Sequence, residues 1–148
     1  MVYSRSPYLF NGYWNQPEET AAAWHGNWVT AGDLGRQDGE GFLYIEGRAK
    51  DMIISGGVNI YPKEVETVIE GFPGVTEAVV VGAPDPHWGE RVVAFVVGQN
   101  TIDRVALEAH CRAELSNFKV PKDFRFVDSV PRNPTGKLLR RLLRDEIA

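Results

Sequence analysis

Apolar residues in the C-terminal two thirds of the chain occur in short runs separated by turn residues. The two most apolar runs, residues 78–81 and 92–97, predict strands that are buried on both faces. Shorter runs at residues 52–55 and 124–127 predict two further strands. Strands this short and this apolar need helices packed against them to form a stable core.

Between these runs, apolar residues recur every three or four positions, which predicts helices with one inward face. The first helix begins near Pro62, where the missing N–H costs nothing. A second helix covers residues 103–115 and a third covers residues 138–147. The inward residues of the third are Leu139, Leu142, Leu143 and Ile147. The fold class is therefore predicted to be α+β, with a short, mostly antiparallel sheet flanked by helices.

Residues 1–47 follow a different pattern. Only residues 18–24 look helical, and the aromatic-rich turns around them leave too few apolar positions for a separate core. Residues 28–30 and 42–45 predict short strands, with a glycine turn before the second. We expect residues 1–47 to be the end of a large N-terminal domain whose packing partners lie upstream, and residues 48–148 to be a small, separate domain.

Composition narrows the class of protein. The chain is 43% hydrophobic and 24% charged, with a net charge of −4, which is typical of a globular domain and excludes a generally basic surface for nucleic acid. Cys111 stands alone, so no internal disulfide can form, and a cytoplasmic location is expected. No apolar run approaches the roughly 18–20 residues of a membrane span. His25, His87 and His110 are scattered, so no metal site is predicted.

Three motifs occur in a set order: Thr-Ala-Gly-Asp-Leu at 30–34, a long motif at 47–66 that contains Gly-Arg-Ala-Lys-Asp and Ser-Gly-Gly, and Pro-Arg-Asn-Pro-Thr-Gly-Lys at 131–137. Together they resemble the adenylate-forming enzymes, which include acyl- and aryl-CoA synthetases, peptide-synthetase adenylation domains and beetle luciferases. The resemblance covers nearly the whole chain and is finest for the CoA-synthetase branch, whose mobile C-terminal lid domain would correspond to residues 48–148.

The resemblance implies an activity for the complete protein. An acyl-CoA synthetase activates a carboxylic acid with ATP, which brings Mg²⁺, to an acyl-adenylate and pyrophosphate. It then transfers the acyl group to CoA and releases AMP. The phosphate loop, adenine pocket and acyl pocket of that family have no counterpart in this sequence, so we expect the chain alone to be inactive in the overall reaction. The missing N-terminal domain is therefore an expected partner.

Asp33, Arg48 and Lys50 are candidates on the nucleotide side. By themselves, Asp33 is a common turn residue and the two cations form an ordinary charged loop. The resemblance implies that Asp33 accepts hydrogen bonds from the ribose hydroxyls of ATP, which suits an acceptor-only carboxylate. It also implies that Arg48 contacts the ribose and phosphates, and that Lys50 is the hinge at which the small domain swings.

Lys137 is the candidate catalytic residue. In isolation, a lysine after Pro-Thr-Gly is an ordinary surface residue. The resemblance implies that it bridges the carboxylate substrate and the α-phosphate of ATP, where a compact ammonium offsets the repulsion between two anions. The motif is also one that lysine acetyltransferases recognise in some relatives, so such an enzyme is a predicted partner whose action would remove the charge.

Five residues are candidates for binding CoA. Glycine lets a ligand approach the backbone closely, and the resemblance places Gly56 and Gly57 beside the pantetheine arm. It implies that Trp88 and Phe118 flank the adenine and that Lys122 lies near the phosphates. The competing interpretation is that both aromatic residues serve packing alone.

The sequence departs from the aryl-CoA ligase pattern at Val120, where an arginine stands in the similar enzymes. This departure leaves Lys119 or Lys122 to make the phosphate contact. Three arginines in the last predicted helix, Arg140, Arg141 and Arg144, are interpreted as a solvent-exposed face near a helix C-terminus.

Other functions share this sequence pattern. A peptide-synthetase adenylation domain would pass its acyl group to a carrier protein and would not need the CoA-adenine contacts. A luciferase-like oxygenase shares the first half-reaction. A free-standing, non-catalytic binding module is the alternative from a different class. The identity of the acyl or aryl acid does not follow from the sequence.

Overall fold

Residues 1–99 and 101–147 are described by a computed structural model of the protein. The chain divides into two units, Met1–Lys50 and Asp51–Ala148. Within the described residues, no helix combines the length and the apolar character that crossing a membrane requires.

The first unit is built from a short helix and antiparallel hairpins. Its elements are α1 (Pro17–Ala23), β1 (Trp24–His25), β2 (Trp28–Val29), β3 (Asp33–Gln37) and β4 (Leu43–Arg48). The helix predicted at residues 18–24 is confirmed. Strand β3 was not predicted, because its residues Asp-Leu-Gly-Arg-Gln lack an apolar alternation. It forms through backbone pairing with β4, whose residues Leu43, Tyr44 and Ile45 are exposed.

A five-stranded sheet organises the described part of the second unit. Its strands are β5 (Ile53–Ser55), β6 (Val58–Ile60), β7 (Val75–Asp85), β8 (Gly89–Gly98) and β9 (Asp123–Phe126). The long β7–β8 hairpin forms the centre, with β7 on one edge of β8. The other edge of β8 pairs with β5 at Gly89 and, in parallel, with β9 from Val93 to Val96. The remaining pairs are antiparallel, so the predicted α+β class and sheet are confirmed.

The helices of the second unit are α2 (Pro62–Glu70), α3 (Arg104–Glu114) and α4 (Arg140–Asp145). Pro62 occupies the first turn of α2, as predicted. The side chain of Asp103 caps α3 by accepting a hydrogen bond from the Val105 N–H at 2.9 Å. Helix α4 is shorter than the predicted 138–147, because Leu138 instead forms a β-bridge with Arg132.

The core lies on both faces of the β7–β8 hairpin. Helices α2 and α3 cover one face, where the buried residues include Val65, Ile69, Val80, Val92, Ala94, Leu107 and Cys111. Helix α4 covers the other face, where Val79, Val81, Val93, Phe95, Leu143 and Ile147 are buried. The prediction that both strands are buried on both faces is confirmed. The prediction that Leu142 points inward is wrong: it is exposed, because in an α4 that begins at Arg140 the sheet-facing positions are Leu143 and Ile147.

Candidate functional site

Asp33 and Arg48 lie opposite each other at the ends of β3 and β4. The Arg48 Nε atom is 3.0 Å from Asp33 Oδ1, and both side chains are partly exposed. A carboxylate has about four lone-pair sites, so this ion pair leaves Asp33 with capacity to accept hydroxyl donors. The structure thus brings the two predicted nucleotide residues together, although their role stays a prediction.

Lys50, the predicted hinge, lies in a 3-10 turn formed by Ala49–Asp51 directly after β4. The turn is attached at its start, where the Ala49 N–H donates to the Gly32 carbonyl at 2.8 Å. The hinge assignment stays a prediction, since it concerns a motion.

Lys137 is presented on a tightly bonded loop. The Asn133 Oδ1 atom accepts hydrogen bonds from the Lys137 N–H at 2.8 Å, from the Thr135 N–H at 3.1 Å and from the Thr135 hydroxyl at 2.8 Å. The Asn133 N–H donates to the Lys137 carbonyl at 2.9 Å. These four bonds fix the backbone of Lys137 while its side chain stays exposed. Sequence reasoning missed Asn133, although asparagine in a turn is a recognised sign of such side-chain bonding.

Arg132 ties the same loop to the sheet. Its Nη1 atom donates to the Gly136 carbonyl at 2.8 Å, and its Nη2 atom forms an ion pair with Glu77 of β7. Sequence reasoning missed this contact too, because Glu77 lies 55 positions away in the chain. These two contacts attach the Lys137 loop to β7, while the catalytic role of Lys137 stays a prediction.

Gly56 and Gly57 form the two-residue turn of the β5–β6 hairpin. Their φ angles of +57° and +79° are both positive, the combination that a type I′ turn requires and that glycine adopts without strain. The segment is therefore a tight turn. A Cβ atom at Gly56 would lie 2.8 Å from Cε3 of Trp88, so the indole ring packs directly on this glycine.

Trp88 is held in place by its own loop and by the hairpin. The Asp85 Oδ1 atom accepts hydrogen bonds from the Trp88 and His87 N–H groups, each at 2.9 Å. These bonds, with that of Trp88 first, lower the pKa of Asp85 below its ordinary value. The Gly56 N–H donates to the Trp88 carbonyl at 2.8 Å, which joins the two turns.

A pocket of about 280 Å³ opens beside these turns. Four of the five residues predicted to bind CoA line it: Gly56, Trp88, Phe118 and Lys122. Gly57 lies in the adjoining turn and is not part of the lining. Sequence reasoning missed Arg91 and Asn117, which also line the pocket. Two aromatic rings beside two cations can stack on a planar base and pair with phosphates, so the residues present fit an adenine nucleotide.

Lys119 does not line this pocket. Its Nζ atom is 2.5 Å from Glu64 Oε1 on α2, and its side chain is only 21% exposed. Of the two alternatives that the sequence left open for a phosphate contact, the geometry therefore favours Lys122, with Arg91 as a second cation.

The interpretation of Arg140 and Arg144 as solvent-exposed is wrong. The Arg140 Nη1 atom donates to Glu66 Oε1 at 2.6 Å and to the Val80 carbonyl at 2.8 Å, and the side chain is 19% exposed. The Arg144 Nη2 atom donates to Asp51 Oδ1 at 3.1 Å. Arg140 pairs with the buried Glu66 and Arg144 pairs with the partly buried Asp51, whereas Arg141 is 79% exposed as expected.

Two further chemistries find no support in the described part of the chain. No group of three or more His, Cys, Asp or Glu side chains there is placed to hold a metal ion. Burial raises the pKa of the Cys111 thiol to about 11, so almost none of the reactive thiolate is present at neutral pH.

Comparison with known sequences decides the family. The sequence profile of the AMP-binding enzyme C-terminal domain matches residues 64–137, half of the chain. This chain belongs to that family. The matched region of this AMP-binding enzyme C-terminal domain begins at Glu64, the partner of Lys119, and ends at Lys137 itself.

The curated relatives that this chain matches are much longer than it is. The chain is 47% identical over 146 residues to FadD13, a long-chain-fatty-acid–CoA ligase of Mycobacterium tuberculosis, which covers 98% of the chain and 29% of the relative. It is 51% identical over 136 residues to ScoC, a fatty acid–[acyl-carrier-protein] ligase of Streptomyces coeruleorubidus, which covers 90% of the chain and 26% of the relative. The chain thus spans less than a third of the length of these proteins.

A solved structure gives the same result for the fold. The o-succinylbenzoate CoA synthetase of Bacillus subtilis, in complex with the acyl-adenylate intermediate OSB-AMP, matches the chain with a TM-score of 0.89 and 40% identity. The match covers 97% of this chain and 30% of the synthetase.

Proposed function

We propose that this chain is the C-terminal part of an AMP-forming acid–thiol ligase that makes acyl-CoA. The observation that carries the proposal is the pocket in which Trp88, Phe118, Lys122 and Gly56 meet. These residues come from separate parts of the sequence, and packing alone does not require two half-exposed aromatic rings beside two cations. The similarity to CoA ligases across nearly the whole chain supports the same conclusion.

In the first half-reaction, a carboxylate oxygen attacks the α-phosphorus of ATP, a P–O bond breaks and pyrophosphate leaves. Lys137 lies between the two anions and stabilises the charge that develops on them. Its loop is fixed by Asn133 and Arg132, so little reorganisation is needed when the ammonium engages. Asp33 and Arg48 bind the ribose and phosphates, and Mg²⁺ enters with ATP.

In the second half-reaction, the CoA sulfur attacks the acyl carbon, and AMP leaves. Trp88 and Phe118 hold the adenine of CoA, while Lys122 and Arg91 pair with its phosphates. The tight turn at Gly56 and Gly57 presents a backbone without side chains to the narrow pantetheine arm. Lys50 is the hinge that carries the domain from the first task to the second.

A carrier protein is the second candidate for the acyl acceptor. The specific observation in its favour is the 51% identity to ScoC, whose name gives an acyl-carrier-protein acceptor. Such an acceptor presents phosphopantetheine without adenine, so it would make no use of Trp88 and Phe118. The acceptor can therefore be assigned by testing whether these aromatic residues matter.

The experiment uses the complete protein, in which this chain is joined to the N-terminal region that its relatives carry. Acyl-adenylate formation and acyl transfer are measured separately, with CoA, pantetheine and a phosphopantetheinylated carrier protein as acceptors. We expect CoA to be preferred, and Trp88→Ala to remove that preference without slowing adenylate formation. The matched control is Trp28→Ala, which changes an exposed tryptophan of the first unit.

Each other outcome assigns a different function. Preference for the carrier protein, with no effect of Trp88→Ala, supports the carrier-protein ligase. Adenylate formation followed by oxidation with O₂ supports a luciferase-like oxygenase, and no adenylate at all supports a binding module. Acetylation of Lys137 by a lysine acetyltransferase stays a prediction, checked by mass spectrometry of the native protein.

A further inference from the structure

A connected cluster of charges lies between α2 and α4, at the edge of β7 opposite β8. Arg140 joins Glu66 of α2 to the backbone of β7 at Val80. Its Nε atom also lies 3.8 Å from Asp51 Oδ2, and Asp51 in turn accepts a hydrogen bond from Arg144. Glu66 Oε1 additionally accepts a hydrogen bond from the Val80 N–H at 2.9 Å. The cluster thus links the 3-10 turn, α2, β7 and α4.

The burial of Glu66 makes its ion pair with Arg140 costly to break. The Glu66 side chain is only 4% exposed, and a buried carboxylate without a partner is strongly unfavourable. Arg140 therefore has little freedom to leave it. The next residue, Arg141, pairs with Asp145 of α4 at 2.9 Å and faces solvent. The two neighbouring arginines thus differ in burial and partners while sharing the same helix.

Arg140 stands three residues after Lys137, and the chain between them is also fixed. Leu138 forms the β-bridge with Arg132, and the Leu139 N–H donates to the Pro131 carbonyl at 2.9 Å. The chain that leaves the Lys137 loop therefore leads directly to Arg140, which is hydrogen-bonded to Glu66 and Val80. At its other end, the cluster holds Asp51, the residue that directly follows Lys50.

We propose that Arg140 is a positioning residue for Lys137. It couples the Lys137 loop to the segment that follows the hinge. When the domain turns, the Lys137 ammonium therefore moves together with that segment and arrives correctly positioned. A buried ion pair is a weak source of stability compared with an apolar replacement of equal size, which favours a role in geometry. This inference rests on the proposed function, because it concerns the half-reaction that Lys137 serves.

The test must separate positioning from folding. Arg140→Ala alone would leave Glu66 buried and unpaired, so the main variant is the double change Arg140→Met with Glu66→Met, which removes both charges and keeps side-chain volume. Adenylate formation and thioester formation from preformed acyl-adenylate are measured in the complete enzyme, together with thermal unfolding. Arg140→Lys tests rescue by a retained cation, and Arg141→Met is the matched control.

We expect the double variant to stay folded at the assay temperature, with a lowered thermal midpoint because the Val80 N–H and carbonyl lose their side-chain partners. It should lose adenylate formation by up to about 100-fold, the effect of misplacing a reacting group by about 1 Å. Thioester formation should change by less than about 3-fold, since the CoA pocket is built from other elements. Arg140→Lys should recover part of the loss, and Arg141→Met should match wild type.

Two results would overturn the inference. Wild-type adenylate formation in the double variant, in an enzyme that Lys137→Ala disables, would mean that Arg140 does not position Lys137. An equal fall in both half-reactions that follows the unfolded fraction would mean that its role is purely structural. A wild-type enzyme that forms no adenylate is a separate result: it refutes the proposed function, and this inference with it.

Discussion

The indole ring of Trp88 packs on Gly56 so closely that a Cβ atom at position 56 would lie 2.8 Å from its Cε3 atom. The two residues are 32 positions apart in the sequence, and the hydrogen bond from the Gly56 N–H to the Trp88 carbonyl joins their turns. The glycine therefore does two things: it permits the tight β5–β6 turn, and it leaves room for the aromatic wall of the pocket.

Gly56→Ala tests this relationship. The new methyl group must push the indole ring away, because the backbone of the turn is held by strand pairing on both sides. We expect the KM for CoA to rise about 10-fold or more, which corresponds to losing about 1.4 kcal/mol of binding, while adenylate formation is unchanged. Gly57→Ala has the same positive-φ strain but no neighbour within 4 Å of its Cβ, so it should have the smaller effect. Equal effects of the two changes would show that strain, not the contact with Trp88, matters.

Arg91 and Lys122 should bind the phosphates of CoA. A charge-assisted hydrogen bond contributes about 1.5–3 kcal/mol, so Arg91→Ala or Lys122→Ala should raise the KM for CoA by roughly 10- to 100-fold. The KM for pantetheine, which has no phosphate, should not change. Steady-state kinetics with both thiols makes this comparison.

Lys119→Ala is the control for these two changes. It removes a nearby lysine that is engaged with Glu64, so the ratio of the two KM values should remain that of wild type. A specific rise in the KM for CoA in Lys119→Ala, with none in Lys122→Ala, would reverse the assignment of the phosphate contact.

Asn133 should control Lys137 through the backbone of its loop. Asn133→Ala removes the acceptor of three hydrogen bonds, so we expect adenylate formation to fall by about 10-fold, while thioester formation from preformed adenylate is retained. Asn133→Asp keeps an oxygen acceptor at the same place and should retain most of the activity. Equal loss in both variants would indicate that the amide N–H₂ group, not the acceptor, is needed.

Asp85 should make the stability of the domain depend on pH. Hydrogen bonds from the Trp88 and His87 N–H groups lower its pKa in the folded state, so the carboxylate stabilises the fold above its ordinary pKa of about 4. That contribution is lost as the pH falls through the lowered pKa. Asp85→Asn should therefore lower the thermal midpoint at about pH 7 and have a smaller effect at about pH 2. A difference that is the same at both pH values would contradict this origin.

Local pattern was sufficient to predict the core of the second unit. The Val-rich runs of β7 and β8, the start of α2 at Pro62 and the location of α3 all follow from spacing within a few residues. Strand β3 was missed because it is polar, and its pairing with β4 is a property of the backbone. Spacing at 138–147 predicted too long a helix because it carries no information about the β-bridge of Leu138.

In the candidate site, too, local motifs predicted some residues but not the partners that are distant in the sequence. Motifs singled out Gly56, Trp88, Phe118 and Lys122, and the structure places them around one pocket. The partners that hold the Lys137 loop and α4 were not predictable, because each lies far away in the sequence: Glu77 from Arg132 and Glu66 from Arg140. From sequence alone, an arginine on a short amphipathic helix is predicted to be exposed. Arg140 is not, because the fold places the buried carboxylate of Glu66 beside it.

Replacing Lys137 with alanine should separate the two half-reactions. In the complete enzyme, Lys137→Ala should slow adenylate formation from acid and ATP by on the order of 10²–10³-fold, as the loss of a preorganised donor does. The same variant should convert preformed acyl-adenylate and CoA to thioester at the wild-type rate. Lys63→Ala, another exposed lysine, should leave both rates unchanged. If Lys137→Ala forms adenylate as fast as wild type, Lys137 does not bridge the carboxylate and ATP, and the proposed catalytic role of this domain is wrong.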